Sequence, residues 1–404
     1  MTLRPRLRGH LPSGAGEERK DARRNKVSRS MKTGAIMRRC LIFCLALGIA
    51  AAIGPARAQD APWQQYQGLS AIEVPFANGP IHMAGVPHVW MKLHGSPPRR
   101  FGMDTGSTGI VVAAEHYTPA PGDVPGGPGR LVYTSSGRIL NGERYTTNVE
   151  ILRNGEMPAA TARVQVLRVT SITCLERARD CRPEQNPRGV AFMGIGFARN
   201  SAQSTEADAP KNPFTNIVAL ASGAPASSIR PGYVITRTAV HLGMTPELTR
   251  NFAFVKLTPG PTTETGGPSW GPAPMTVSVD GVEGDGTILM DTGINYMFLS
   301  PPEGTRLRRG ARVPSGTTVS IYLPDRRNPQ PAFYTFTVGE RGNPLHPGHV
   351  EVVHDSGVFV NTSRMFLEGF NYLYDAAGGF VGYGWTNRLR GSYGSVTPGL
   401  YYAR

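Results

Sequence analysis

One tripeptide occurs twice along this chain, in matching surroundings. Asp104-Thr105-Gly106 and Asp291-Thr292-Gly293 lie nearly half the chain apart, and each copy follows apolar residues and precedes an apolar, strand-like run. A carboxylate in such surroundings is costly unless it is hydrogen-bonded. A glycine two residues later permits a tight turn whose N–H groups can approach the carboxylate. The repeat therefore predicts two equivalent turns, each built to hold an acid.

Two such acids can act together as an acid–base pair if the fold brings them close to each other. Neighbouring carboxylates resist ionising at the same time, so one keeps its proton and the pair offers an acid and a base at once. A single Asp-Thr-Gly would be an ordinary junction between a strand and a turn. Two interpretations therefore stand side by side: two capped turns in a β scaffold, or Asp104 and Asp291 as a catalytic pair.

The chain after residue 58 is typical of an all-β protein. Glycine (49 residues) and proline (35 residues) are abundant, as expected where turns are frequent. Short helices are predicted only at Pro213–Ala221 and Thr245–Phe252, and irregular insertions at Tyr117–Gly129 and Pro259–Pro274. Apolar or alternating runs between turn residues predict strands at Val89–Leu93, Ile110–Ala114, Val149–Leu152, Ala162–Val169, Phe252–Leu257, Met275–Val279, Thr317–Leu323, Phe333–Val338 and His349–Val353.

The net charge of +14 would by itself favour a nucleic acid or an anionic surface as partner. Most of that excess lies in residues 1–58, which predict a basic prefix and a secretory signal peptide. The basic stretch Lys32–Arg39 precedes the apolar run Cys40–Ile53, and Ala56-Arg57-Ala58 is a small-x-small cleavage site before Gln59. The apolar run is shorter than the ~20 residues of a membrane span. We therefore expect a secreted or periplasmic protein, with no nucleic-acid partner and no membrane anchor after cleavage.

Two cysteines remain after the predicted cleavage, Cys174 and Cys181, in a polar stretch. In an oxidising compartment they predict one local disulfide that closes a loop. The neighbouring residues offer no further metal ligands. His346, His349 and His354 lie close in sequence, but the alternation around them favours strand or surface histidines over a metal site. Cofactor motifs are absent, so we expect the chain to use neither a metal nor a cofactor.

Several further motifs stand in order along the chain. Ser107 extends the first copy of the repeat to D-T-G-S. The other stretches are Leu131–Gly137 with Tyr133, the apolar-apolar-Gly run Val190–Phe197, Asn251–Leu257 and Met365–Tyr383. Together with the repeat, and from Val89 to Tyr383, these motifs resemble the pepsin-like, two-lobed aspartic peptidases, in a divergent form of bacterial type. In that family Leu131–Gly137 would correspond to the tip of the flap over the active site.

The resemblance implies an all-β, bilobal pepsin-like acid protease fold with two β-barrel-like lobes, residues 59–248 and 249–404, and the active-site groove between them. It implies an aspartic endopeptidase whose catalytic dyad, Asp104 and Asp291, holds a water that attacks the peptide bond. The expected partner is an extended peptide or protein, bound by a monomer. The supporting residues implied are Thr105 and Thr292, which brace the two loops, Gly106 and Gly293 in the turns, Ser107 on Asp104, and Tyr133 of the substrate-binding flap.

The second copy departs from the family's pattern at two positions. Ile294 stands where the family usually has a hydroxyl residue, so Asp291 lacks a counterpart of Ser107, and Asn295 is the nearest polar substitute. Ser363 stands where the family's second apolar-apolar-Gly strand has its glycine. These departures keep a second hypothesis open: a catalytically silent pepsin-fold envelope protein that binds peptides or other ligands.

Overall fold

The computed structural model describes residues 62–176, 178, 181–199, 209–263, 267–327, 332–353, 357–386 and 393–403. The predicted signal segment, residues 1–58, and His354 lie outside the described residues. Within the described residues, none of the helices has both the length and the apolar character that crossing a membrane requires.

The regular secondary structure of the described residues is almost all β-strand, which confirms the prediction of an all-β protein. The α-helix α1 spans Pro246–Thr249, and 3-10 helices span Pro62–Tyr66, Ala114–His116, Ala209–Lys211, Ala226–Ser228 and Arg364–Glu368. The strands, in chain order, are β1 (Ala71–Pro75), β2 (His88–Leu93), β3 (Arg99–Asp104), β4 (Thr108–Ala113), β5 (Val124–Tyr133), β6 (Arg138–Leu152), β7 (Pro158–Cys174), β8 (Glu184–Gln185), β9 (Ala191–Ile195), β10 (Ile217–Leu220), β11 (Gly232–Ile235), β12 (Ala239–Gly243), β13 (Phe252–Lys256), β14 (Ala273–Val279), β15 (Val282–Leu289), β16 (Met297–Ser300), β17 (Thr318–Leu323), β18 (Ala332–Thr337), β19 (Val350–Val352), β20 (Val358–Asn361), β21 (Phe370–Asp375), β22 (Phe380–Trp385), β23 (Gly394–Ser395) and β24 (Gly399–Tyr401).

The strands form three sheets. A nine-stranded sheet holds β2 to β10, and an eight-stranded sheet holds β14 to β20 together with β23. A seven-stranded sheet, in the order β1-β12-β11-β21-β22-β13-β24, joins strands from both ends of the described chain. The first sheet lies wholly within residues 59–248 and the second within 249–404, whereas the third draws on both ranges.

The two Asp-Thr-Gly turns sit in the same strand arrangement. In the nine-stranded sheet, β9 pairs parallel with β3, which enters the first turn, and antiparallel with β4, which leaves it. In the eight-stranded sheet, β20 pairs parallel with β15 and antiparallel with β16 in the same way. The exit strands also match, because β4 pairs parallel with β7 and β16 pairs parallel with β19. The sequence repeat is therefore also a repeat of topology.

The strands form where apolar residues alternate with polar ones. In β17, Val319, Ile321 and Leu323 are fully buried, while the residues between them are partly accessible. By contrast, every residue of β4 is buried, because both of its faces are covered. The largest apolar cluster runs from Val74 to Tyr401 through all three sheets. The core therefore links the two repeated arrangements into one packed unit.

The nine predicted strands all coincide with strands of the structure. The helix predicted at Thr245–Phe252 is present only as the single turn α1, Pro246–Thr249, because Phe252 already begins β13. Thr245 caps α1 by accepting a hydrogen bond from Leu248 N at 3.3 Å, with Pro246 at the first helical position. The helix predicted at Pro213–Ala221 is wrong. Ile217–Leu220 forms β10 against β7 instead, after a turn in which Asn212 Oδ1 accepts from Phe214 N at 2.9 Å.

The predicted insertion Tyr117–Gly129 is wrong in its second half. Val124 begins β5, which pairs antiparallel with β6 and forms a long hairpin despite its prolines and glycines. A register irregularity between Pro125 and Gly127 absorbs these residues, as a β-bulge does. The apolar cluster beneath the hairpin includes Leu131 and Leu140 and holds it on the sheet.

The predicted disulfide joins Cys174 and Cys181 next to the tip of this hairpin. Leu175 N, just after the first cysteine, donates to Gly137 O at 2.8 Å, and Gly137 lies in the turn between β5 and β6. The disulfide-closed segment therefore docks against the hairpin tip. Such a bond is typical of an oxidising compartment.

Candidate active site

Each Asp-Thr-Gly turn holds its own carboxylate in the same way. Asp104 is the last residue of β3, and Asp291 lies two residues beyond β15. Gly106 N donates to Asp104 Oδ1 at 2.7 Å, and Gly293 N donates to Asp291 Oδ1 at 2.7 Å. The turns thus satisfy the Oδ1 oxygen of each acid with a backbone donor, which offsets part of the cost of burying it.

The two threonines join the turns across the site. Thr105 N donates to Thr292 Oγ1 at 3.1 Å, and Thr292 N donates to Thr105 Oγ1 at 2.9 Å. Each hydroxyl then donates to the backbone of the opposite copy, Thr105 Oγ1 to Met290 O and Thr292 Oγ1 to Met103 O, both at 2.6 Å. Both threonines are almost fully buried, so this reciprocal network fixes the distance between the two acidic turns.

The glycines bring the two carboxyl groups close together. A Cβ added to Gly106 would lie 2.5 Å from Asp291 Oδ2, and one added to Gly293 would lie 2.7 Å from Asp104 Oδ1. Asp104 and Asp291 are themselves only 8 % and 7 % exposed. A side chain at either glycine would therefore displace the opposite acid, which explains why the turns need this residue.

The environment of Asp104 favours its protonated form. Burial raises the pKa of its carboxyl from 3.8 to about 7, and the charge of Asp291 acts in the same direction. Hydrogen bonds from Ser107 and Gly106 lower this pKa, but by less than the burial raises it. Below this pKa Asp104 therefore keeps its proton beside a second, close carboxyl group.

The Oδ2 oxygens of the two acids have different partners. Ser107 Oγ donates to Asp104 Oδ2 at 2.6 Å. On the other side, Asn361 Nδ2 donates to Asp291 Oδ2 at 2.6 Å. The suggestion that Asn295 substitutes for the missing hydroxyl is wrong, because its amide donates to Met83 O at 3.2 Å. Asn361, at the end of β20, reaches Asp291 because β20 pairs with the strand that enters the second turn.

The residues after Asn361 support the same turn. Ser363 occupies the expected glycine position with φ 66°, in the left-handed region, and its hydroxyl accepts from Met365 N at 3.3 Å. Arg364 is only 4 % exposed. Its guanidinium donates to Thr292 O at 3.0 Å and to Gly293 O at 2.9 Å. Sequence reasoning missed Asn361 and Arg364 as site residues.

A cavity of about 490 Å³ is lined by both carboxyl groups. Tyr133, at the hairpin end of β5, lies at this cavity, and its hydroxyl is buried without a hydrogen-bond partner among the described residues. Burial and the nearby charge of Asp104 raise the pKa of Tyr133, so the phenol stays neutral. The cavity wall also contains the apolar side chains Leu131, Phe192, Leu289, Ile294, Tyr296, Phe298 and Phe359 and the arginines Arg138 and Arg199.

Two of the three histidines singled out in the sequence have local partners. Gly339 N donates to His346 Nε2 at 2.9 Å, and the His349 ring stacks on Tyr296 with 4.7 Å between centroids. Across the described ranges, no group of three or more His, Cys, Asp or Glu is placed to hold a metal ion.

The chain was also compared with known proteins. It matches no protein-family model, and no curated protein is recognisably similar to it.

Proposed function

We propose that this chain is a secreted or periplasmic aspartic endopeptidase with a pepsin-like bilobal fold, in which Asp104 and Asp291 form the catalytic dyad. The observation that carries the proposal is the pair of buried carboxyl groups, held together by reciprocal Thr105 and Thr292 hydrogen bonds at a cavity. Burial and the charge of Asp291 raise the pKa of Asp104, and a strongly perturbed acid that lines a cavity is a candidate for catalysis.

The repeated topology supports the two-lobed fold. Each lobe would be one copy of the arrangement around an Asp turn, the nine-stranded sheet with β3, β4 and β9 and the eight-stranded sheet with β15, β16 and β20. The seven-stranded sheet would then connect the lobes from below, since it contains strands from both. The threonine network would be the contact between lobes at the floor of the groove.

The chemistry is general acid–base hydrolysis. A water between the two carboxyl groups loses a proton to the ionised acid as its oxygen attacks the scissile carbonyl carbon, while the protonated acid donates to the carbonyl oxygen. Because its pKa is raised, Asp104 keeps the proton that it would donate to the carbonyl oxygen up to near-neutral pH. Because burial and hydrogen bonds already orient both groups, little reorganisation is needed when charge develops.

The substrate would be an extended peptide lying under the β5–β6 hairpin. The cavity is open enough and apolar enough for side chains on either side of the scissile bond, with Phe192, Phe298 and Phe359 as walls. Tyr133 would cover the bound peptide. The disulfide at the hairpin tip fits a protein that works outside the cytoplasm. The enzyme would act as a monomer.

The test is cleavage of an unfolded protein between pH 3 and pH 8, followed by mass spectrometry of the fragments. We expect cleavage by the wild type and none by Asp104→Ala, while Asp285→Ala, which removes an exposed acid, keeps full activity. Cleavage that survives Asp104→Ala, or that is absent at every pH, would refute the proposal. Peptide binding without cleavage would support the silent binding protein instead.

A further inference from the structure

Building on the proposed peptidase, we infer that Asn361 and Arg364 are positioning residues that keep Asp291 as the ionised member of the pair. Asp291 then accepts the proton of the attacking water, and Asp104 donates its proton to the carbonyl oxygen. The inference rests on how differently the two acids are surrounded, although their turns are nearly identical.

The amide of Asn361 has a fixed orientation. Its Oδ1 accepts from Ser363 N at 3.2 Å, so its Nδ2 is the atom that faces Asp291 Oδ2 at 2.6 Å. An amide nitrogen only donates, and it is therefore best paired with an ionised carboxylate. Ser107, the matching partner of Asp104, is a hydroxyl that donates or accepts and so tolerates a protonated acid. The two partners, the Asn361 amide at Asp291 and the Ser107 hydroxyl at Asp104, therefore favour the negative charge on Asp291.

Arg364 adds a buried positive charge on the same side. Its guanidinium is held against the second turn by the carbonyls of Thr292 and Gly293, and Nη1 reaches Met83 O at 3.0 Å. Burial lowers the pKa of Arg364, while the charge of Asp291, and to a smaller extent that of Asp104, raises it. Since arginine stays protonated in proteins, its charge stabilises a carboxylate at Asp291 more than one at Asp104.

The other groups facing the pair do not reverse this bias. From the hairpin come Tyr133, which is neutral, and Arg138; from the segment after β9 comes Arg199. The charge of Asp104 affects Tyr133 more than that of Asp291 does, so the phenol lies on the Asp104 side. Near Asp104, burial dominates and favours the proton. The described charged groups therefore divide the pair into a base and an acid.

The step balances with these roles. The water oxygen bonds to the carbonyl carbon, one water proton moves to Asp291, and the Asp104 proton moves to the carbonyl oxygen, giving a neutral gem-diol. The proton on Asp291 then passes to the amide nitrogen, the C–N bond breaks, and one gem-diol proton returns to Asp104. The products are a carboxylic acid and an amine, and the pair regains its starting protonation.

Direct titration of the two carboxyls tests the inference without any substrate. The protein is labelled with ¹³C-carboxyl aspartate, and the dyad signals are assigned from Asp104→Asn and Asp291→Asn. In the wild type we expect Asp291 to ionise at lower pH than Asp104. Asn361→Leu keeps the side-chain shape but removes the donor, so we expect the proton affinity of Asp291 to rise about tenfold or more.

A rescue variant separates positioning from a merely structural role. Adding Ile294→Ser to Asn361→Leu puts a hydroxyl three residues after Asp291, where Ser107 stands relative to Asp104, and should restore the low-pH ionisation. Asn343→Leu, which removes a buried amide from another part of the chain, should leave both titrations unchanged. If active, the Asn361→Leu protein should show the acid limb of kcat/KM moved to higher pH.

Two results would overturn the inference: Asp104 ionising before Asp291 in the wild type, or a folded Asn361→Leu protein with both titrations unmoved. The order in which the two acids ionise in the wild type tests the inference even if the Asn361→Leu protein fails to fold. A protein with the expected order but no cleavage of any peptide would refute the peptidase and leave the charge assignment standing.

Discussion

The buried carboxyl of Asp104 makes the stability of the protein depend on pH in a calculable way. Its pKa is about 7 in the folded protein, against 3.8 when it is not perturbed. The folded state therefore binds this proton more tightly than the unfolded chain does, and stability is lost as pH rises between these two values. Completing the ionisation removes about 4 kcal/mol from the free energy of unfolding.

Asp104→Asn abolishes this loss because the amide does not ionise. Relative to wild type, the variant should gain stability steadily from pH 4 to pH 7 and then level off, with a total gain approaching about 4 kcal/mol. The gain is largest where the wild-type pair is forced to carry two charges. At pH 4, where the wild-type acid is still protonated, the two proteins should differ little.

Urea unfolding at half-unit steps from pH 4 to pH 8, with the disulfide intact, measures this difference. Asp291→Asn is the partner variant: it removes the neighbouring charge, the second cause of the raised pKa, so the remaining pH dependence from Asp104 should shrink. A stability difference between Asp104→Asn and wild type that stays constant across this range would refute the claim that the folded protein holds this proton.

Three further substitutions test how the fold supports the site. Gly106→Ala places a Cβ 2.5 Å from the Asp291 carboxylate, so it should abolish cleavage and lower the free energy of unfolding, measured in urea, by about 2 kcal/mol. The control Gly189→Ala, whose Cβ would have nothing within 4 Å, should lower it by less than about 0.5 kcal/mol. Asp375→Asn breaks an ion pair in which the acid is fully buried and Arg230, partly exposed, donates from Nε to both carboxylate oxygens at 2.9 Å, and thermal unfolding should reveal a loss of about 3 kcal/mol. Cys174→Ser opens a short loop and should cost about 2 kcal/mol, seen as a lower urea midpoint.

Much of this site was accessible from sequence because its parts are close along the chain. The Asp-Thr-Gly turns satisfy their own carboxylates through glycines two residues away, and Ser107 is three residues from Asp104. Local spacing of this kind is visible in a sequence. Alternation likewise located the strands, because strands such as β17 bury every second residue.

The partner of Asp291 was not accessible in that way. Asn361 lies 70 residues further along the chain, and it reaches the carboxylate only through the parallel pairing of β20 with β15, where Asn361 stands opposite Leu289. A shift of two residues in that register would move another side chain to Asp291. The nearby Asn295 looked suitable by distance along the chain, but its amide is used elsewhere. Register is set by tertiary packing, which spacing does not reveal.

Ser363 is a departure from the glycine pattern that the fold accommodates at a cost. Its φ of 66° disfavours any Cβ, while its hydroxyl recovers part of the loss by accepting from Met365 N. Comparing Ser363→Gly with Ser363→Ala isolates the free-energy cost of holding a residue with a Cβ at this φ, since both variants lose the hydroxyl and only alanine keeps the Cβ. We expect the glycine variant to unfold at higher urea, by about 1 kcal/mol. Equal stabilities would mean that the turn carries no strain, and the serine would then be an ordinary cap.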